Sequence, residues 1–212
     1  MSLPSIALAP TTSALPLPGG IHPGLLRARV HEVCGPARMA LTLMLLELCE
    51  GPVIWVMPAW LPERPYPCGV RDFIHPGRLI FARARRPEDI QWAGEEALRS
   101  GAAPVVVLEM PTPPGLTAVR RLHLAAGAGA EAAHHAARPA PLGLILSTGD
   151  GGAQGVESRW HMAATPAPSG LLEGGVSWHL TRTRARTAPV ATWALLREGR
   201  GVVTARPCKP AP

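Results

Sequence analysis

From residue 30 onward, short apolar runs alternate with stretches whose apolar positions recur every three or four residues. VHEV at 30 to 33 precedes a helical stretch from Arg38 to Glu50, and VIWVM follows at 53 to 57. LIFARA at 79 to 84 leads into PEDIQWAGEEALRSG. There Pro87 suits a first helical turn, Glu88 and Asp89 favour the N-terminal end of the dipole, and Gly101 marks the stop. VVVLEM at 105 to 110 comes next, then TAVRRLHLAAGAGA at 117 to 130, whose Val119, Leu122 and Ala126 share a helical face. LGLILS at 142 to 147 closes this series. Strands apolar on both faces, regularly separated by helices, predict an α/β fold with a mostly parallel sheet flanked by helices.

From Glu157 the pattern changes to alternation of large apolar and polar residues. ESRWHMAAT, GVSWHLTRTRA and VATWALLRE, separated by Gly and Pro turns, predict antiparallel strands added to the same sheet. At the other end, prolines at 4, 10, 16 and 18 rule out a stable helix. Residues 1–18 are expected to be a flexible arm, residues 19–205 one domain, and residues 206–212 a loose Pro-rich tail. The chain contains no internal repeat.

Composition narrows the function classes. With 47% hydrophobic and 17% charged residues among 212, the chain is expected to fold around a proper core. No run reaches the roughly 20 apolar residues of a membrane span. The N-terminus has no Lys or Arg before its mild apolar patches, so the expectation is a cytoplasmic protein with no membrane partner. Cys34, Cys49, Cys68 and Cys208 form no C-x-x-C pair, and the adjacent His134 and His135 diverge on a helix, so no metal site is expected. A net charge of +6 makes nucleic acid or an acidic protein surface a plausible partner. No Ser/His/Asp, Cys/His or paired-carboxylate arrangement supports catalysis, so the protein is expected not to be an enzyme.

A nucleotide-binding core of this class places its phosphate loop after the first core strand, and here that place holds GPARMALT, Gly35 to Thr42. In the intact motif G-x-x-x-x-G-K-[ST], the second Gly lets the backbone curl around phosphate. The Lys meets the outer phosphates, and the hydroxyl ligates magnesium. Gly35 and Thr42 match, but Ala40 replaces the second Gly and Leu41 the Lys. An apolar Leu brings no charge to a triphosphate, so no nucleotide cofactor is expected.

Around that loop, GGIHPGLLRARVHEVCGPARMALTLMLL resembles the start of a RecA core, and ARRPEDIQWAGEEALRSGAAPVVVLEM resembles the helix and strand that carry its second nucleotide motif. RRPEDIQWAGEEALRSG and TAVRRLHLAA are further similar to proteins of the ImuA family. The resemblance spans about residues 19 to 205 and weakens after Gly149. It implies a RecA-like core and a role in SOS-type, error-prone translesion synthesis. The partners it implies are an ImuB-like protein and an error-prone polymerase, with RecA and DNA as further candidates. It puts Glu109 at the usual Asp of the second motif, and Pro58, Ala59 and Trp60 at the catalytic Glu; Glu63 reads as a surface residue of a Pro-rich loop before it reads as a displaced substitute. The DNA-binding loop falls on Ser147 to Arg159, which has no Lys or Arg before Arg159. Two other functions remain open from sequence: an ATP-dependent RecA-like DNA-binding protein, and a SulA-type cell-division inhibitor.

Two arginine groups are candidate contacts for DNA or partner. Arg83, Arg85 and Arg86, extended by Arg71 and Arg78, form a basic cluster. Arg182, Arg184 and Arg186 alternate along a predicted strand, and a strict period of two puts them on one face. Trp160, Trp178 and Trp193 nearby offer base stacking, although tryptophan in alternating strands more often packs a core.

Overall fold

A computed structural model describes residues 14–62, 64–166 and 175–208. In chain order its elements are β1 (Ala14–Leu15), β2 (Leu25–Leu26), β3 (Val30–Cys34), α1 (Arg38–Glu47), β4 (Val53–Pro58) and α2 (Pro67–Val70). There follow β5 (Leu79–Ala84), α3 (Pro87–Ser100), β6 (Val105–Glu109), α4 (Leu116–His135) and β7 (Leu142–Leu146). The last four are β8 (Ser158–Thr165), β9 (Val176–Ala185), β10 (Ala191–Arg197) and β11 (Thr204–Cys208).

Nine of these strands form one sheet in the order β11-β10-β9-β8-β3-β7-β6-β4-β5. From β5 to β8 every pairing is parallel, and from β8 to β11 every pairing is antiparallel. The mixed α/β class, the largely parallel sheet and the added antiparallel strands are those read from the sequence, except that β8, expected to be antiparallel, joins β3 in parallel and turns antiparallel only toward β9.

Period-two alternation divides the core into two layers. Val53, Trp55 and Met57 of β4, Val105 and Val107 of β6, and Leu142, Leu144 and Leu146 of β7 face the side covered by α1. Val56, Val106, Leu108 and Ile145 face the other side, under α3 and α4. Each apolar strand therefore supplies both layers, which is why these runs show little polar alternation.

Helix α3 begins with Pro87, carries Glu88 and Asp89 in its first turn and ends at Gly101 in the left-handed region, as its sequence predicts. Helix α4 runs five residues beyond the predicted Ala130, to His135. Helix α1 stops at Glu47, short of the predicted Glu50. Its end is held by a residue distant in sequence: the Arg78 guanidinium donates to the carbonyls of Leu46, Cys49 and Gly51 at 2.6–3.2 Å. The cation thus meets one carbonyl of the last turn of α1 and two of the turn that follows it.

Both predicted chain ends are partly ordered. Ala14–Leu15 pairs antiparallel with Leu25–Leu26, and Leu15 and Leu17 are buried. The prolines that forbid a helix permit this extended packing, while the first thirteen residues of the expected arm lie outside the described residues. In the tail, Arg206, Pro207 and Cys208 belong to β11, an edge strand where the missing proline N–H is tolerated. Among the described residues no helix is long and apolar enough to cross a membrane.

Candidate functional site

The parallel strands point their C-terminal ends to one rim of the sheet, where open α/β folds place their ligands. A cleft of about 250 Å³ lies there. Arg38 and Met39 border it from the start of α1, Leu61 from the segment after β4, Glu109 from the end of β6, and Thr148 from the loop after β7. Four of the segments that the resemblance marks for nucleotide or DNA thus converge on one rim.

The loop Gly35 to Thr42 follows β3 and opens α1, the placement of a phosphate loop. Its hydrogen-bonding groups are turned inward. The Gly35 amide donates to the Gly149 carbonyl at 2.8 Å, and the Ala37 amide to the Met162 carbonyl at 3.0 Å. Gly35 has φ +88°, and a Cβ there would stand 2.5 Å from the Met162 carbonyl oxygen, so the residue is required for the close approach to β8.

Leu41 lies fully buried in the α1 layer. Thr42 is buried too, and its hydroxyl donates to the Arg38 carbonyl at 2.9 Å, within its own helix. Ala40 is half-buried against the apolar layer. The residues do not fit a magnesium-bound triphosphate, because the hydroxyl and two of the loop amides have protein partners and the Lys position is inside the core. Glu109 borders the cleft and accepts from the Trp55 indole N–H at 2.7 Å. Glu63 lies outside the described residues.

A different acidic residue organises this rim. Glu32 on β3 has no exposed surface, yet its carboxylate accepts from the Ser147 hydroxyl at 2.7 Å and from the amides of Gly152 and Ala153 at 2.8 and 3.1 Å. The Arg159 guanidinium pairs with the same carboxylate and also donates to the Ala153 carbonyl. Gly151, at φ +75°, passes so close that a Cβ would meet a Glu32 oxygen at 2.7 Å. The segment Ser147 to Arg159, which the resemblance assigns to DNA, is therefore folded down around a buried carboxylate. Its one arginine is spent on holding it there. The spacing of acidic Glu32 and the glycine-rich segment, 115 residues apart or more, gave no sequence signal of this pairing.

Two histidines, His31 buried and His123 half-buried, tie neighbouring segments to β3. His31 Nδ1 lies 2.7 Å from the Ser158 hydroxyl and Nε2 lies 3.0 Å from the Leu26 carbonyl. Burial pushes its pKa down to about 4, so the ring is neutral at physiological pH. His123 on α4 accepts from the Val30 amide through Nδ1 and donates through Nε2 to the Gly155 carbonyl, and burial lowers its pKa as well.

The arginine candidates separate into different roles. Arg182 is buried, with its guanidinium 5.4 Å from the Trp160 ring centre and 5.2 Å from that of Trp193, and it donates to the Pro189 carbonyl. The predicted single stripe does not form. A bulge pairs Trp160 with Arg182 but Arg159 with Arg184, so Thr183 is extra and Arg184 moves to the opposite face. Arg186 lies beyond β9, beside Glu157 at 3.5 Å. Trp160 and Trp178 are buried and Trp193 is half-buried against the same core, the packing role expected of tryptophan in alternating strands.

In the other group, Arg83 donates to the Ala59 carbonyl at 2.6 Å, Arg86 pairs with Asp89 at 2.9 Å, and Arg85 is exposed. Arg78, which extended this group, is the cap of α1. The four cysteines are free thiols, and no cluster among the described residues has the makeup of a metal site.

No family model matches this chain, and no curated protein matches it. Among solved structures it is similar to SulA from Pseudomonas aeruginosa, with a TM-score of 0.42 and 20% identity, over 57% of this chain and 98% of that one.

Proposed function

We propose that this chain is a non-catalytic accessory protein of the DNA-damage response, in which a RecA-like core serves as a scaffold for protein contacts. In this reading it supports error-prone translesion synthesis by joining an ImuB-like partner to the polymerase. The observation that carries the non-catalytic part is the loop Gly35 to Thr42: Leu41 is in the core, and the Thr42 hydroxyl is bonded within α1. The RecA-like part is supported by convergence at one rim. The ends of β3, β4, β6 and β7 lie side by side, with β5 outside them, so the positions that the resemblance links to nucleotide and DNA are neighbours in space.

The folded-down segment Ser147 to Arg159 favours protein contacts over direct filament formation on DNA, because Arg159 is already committed to Glu32. The test has two arms. Co-expression with an ImuB-like protein is expected to yield a stable co-purifying complex, and titration of the protein with ATP and magnesium is expected to give no binding heat. Failure to co-purify would sink the adaptor role, and a saturable ATP isotherm would favour the ATP-dependent alternative.

A further inference from the structure

Away from the rim, a second cleft of about 320 Å³ opens beside α4. Arg29, Arg120, His123, Arg186, Leu116 and Leu124 line it. Leu116, Arg120 and Leu124 follow one another at four-residue steps, so they form a single stripe along the outer face of α4, about 6 Å apart. Both leucines are largely exposed, at 58% and 67%, one on either side of Arg120.

The charges around this stripe are held in place from beneath. Glu157, with a 9% exposed side chain, lies 3.7 Å from the Arg29 guanidinium and 3.5 Å from that of Arg186. Arg186 also donates to the Gly155 carbonyl, the same oxygen that receives the His123 N–H. One carboxylate is shared by two of the three arginines, so the mouth retains an excess of positive charge. The two bracketed guanidinium groups have fewer conformations to lose when a ligand carboxylate arrives.

We propose that this face of α4 docks an amphipathic helix from a protein partner, one that sets an acidic side chain between two apolar ones. The apolar pair would cover Leu116 and Leu124, and the carboxylate would meet Arg120, Arg29 and Arg186. Nucleic acid fits less well. Exposed leucines offer nothing to a phosphate, and no tryptophan among the described residues lines this cleft to stack a base. The surface deepens the adaptor reading by giving it a contact site, and it rests on that reading for the existence of a partner.

The probe is a fluorescein-labelled helical peptide carrying Leu, Glu and Leu at successive four-residue steps on an alanine–glutamine background, read by anisotropy with the full-length protein. A twin peptide with Lys in place of Glu and a single-stranded oligothymidylate are the comparisons. The Glu peptide is expected to bind saturably and the Lys twin not to bind. Arg120→Glu is expected to weaken the Glu peptide by about tenfold or more, and Leu124→Ser by a smaller factor.

Arg206→Glu makes the same charge change on the exposed edge strand β11 and is expected to leave affinity within about twofold. Equal weakening by Arg120→Glu and Arg206→Glu, or equal binding of both peptides, would reduce the effect to net charge and overturn the site. Tighter binding of oligothymidylate that is lost in Arg120→Glu would overturn it in favour of nucleic acid. These outcomes are separate from the adaptor test, since a complex that co-purifies equally with wild type and Arg120→Glu would remove this surface and keep the adaptor.

Discussion

At Glu32 a carboxylate with no exposed surface is held by a hydroxyl, two backbone amides and a guanidinium. Its removal leaves Arg159, whose side chain is only 18% exposed, without its counter-charge and strands two amides of the segment that wraps it. Breaking a buried pair from one side costs about 3–5 kcal/mol, whereas an exposed ion pair is worth about 0–1 kcal/mol. Glu32→Ala is therefore expected to lower the unfolding free energy in urea by about 3–5 kcal/mol. A loss under about 1 kcal/mol would mean that the network does not hold the rim together. Side-chain roles of this kind were poorly legible in the sequence. Glu32 stands in a run that reads only as a strand, and its donors come from residues far along the chain. Arg78 and Arg182 read as surface cations, yet one caps α1 and the other packs against the rings of two tryptophans.

Elements were far more legible, because hydrophobic period and caps are local. Five of the six parallel strands, helix α3 with its Pro87 start and Gly101 stop, and the antiparallel pairing of the C-terminal strands with one another follow from pattern alone; the parallel seam of β8 on β3 does not. What pattern could not give were features imposed from outside an element: the early end of α1 under Arg78, and the bulge at Thr183 that divides the arginine stripe. The loop Gly35 to Thr42 tests the same distinction. Set against the intact motif it lacks the second Gly and the Lys, and Leu41→Lys would restore the missing charge. In the fold, position 41 faces the apolar layer between α1 and the sheet, with no exposed surface. A lysine there has to bury its ammonium or break the packing, at a cost of at least about 3 kcal/mol. Leu41→Lys is expected to lower the thermal midpoint and to gain no ATP binding by calorimetry. A stable variant that binds ATP would show that the loop can still form a phosphate cradle.

For the molecule as a whole, topology brings residues near both ends of the chain onto one sheet, and two histidines, one buried and one half-buried, sit at that junction. His31 joins β3 to Ser158 of β8 and to the Leu26 carbonyl of β2, while His123 joins α4 to the start of β3 and to Gly155. Burial shifts both toward the neutral form, His31 to a pKa near 4 against about 6.5 in the unfolded chain. Between those two values the unfolded chain binds a proton that the folded chain does not, so stability falls as pH drops through the window and is unaffected by these groups above it. One pKa unit corresponds to about 1.4 kcal/mol, which gives His31 alone a loss of about 2 kcal/mol between pH 7 and pH 5. His123 adds to it in the same direction. Urea unfolding at those two pH values is expected to show this loss in the wild type and a clearly smaller one in His31→Asn, which keeps a polar side chain for Ser158 but does not titrate. An equal loss in both proteins would mean that the acid sensitivity arises elsewhere than at the β2–β3–β8 junction.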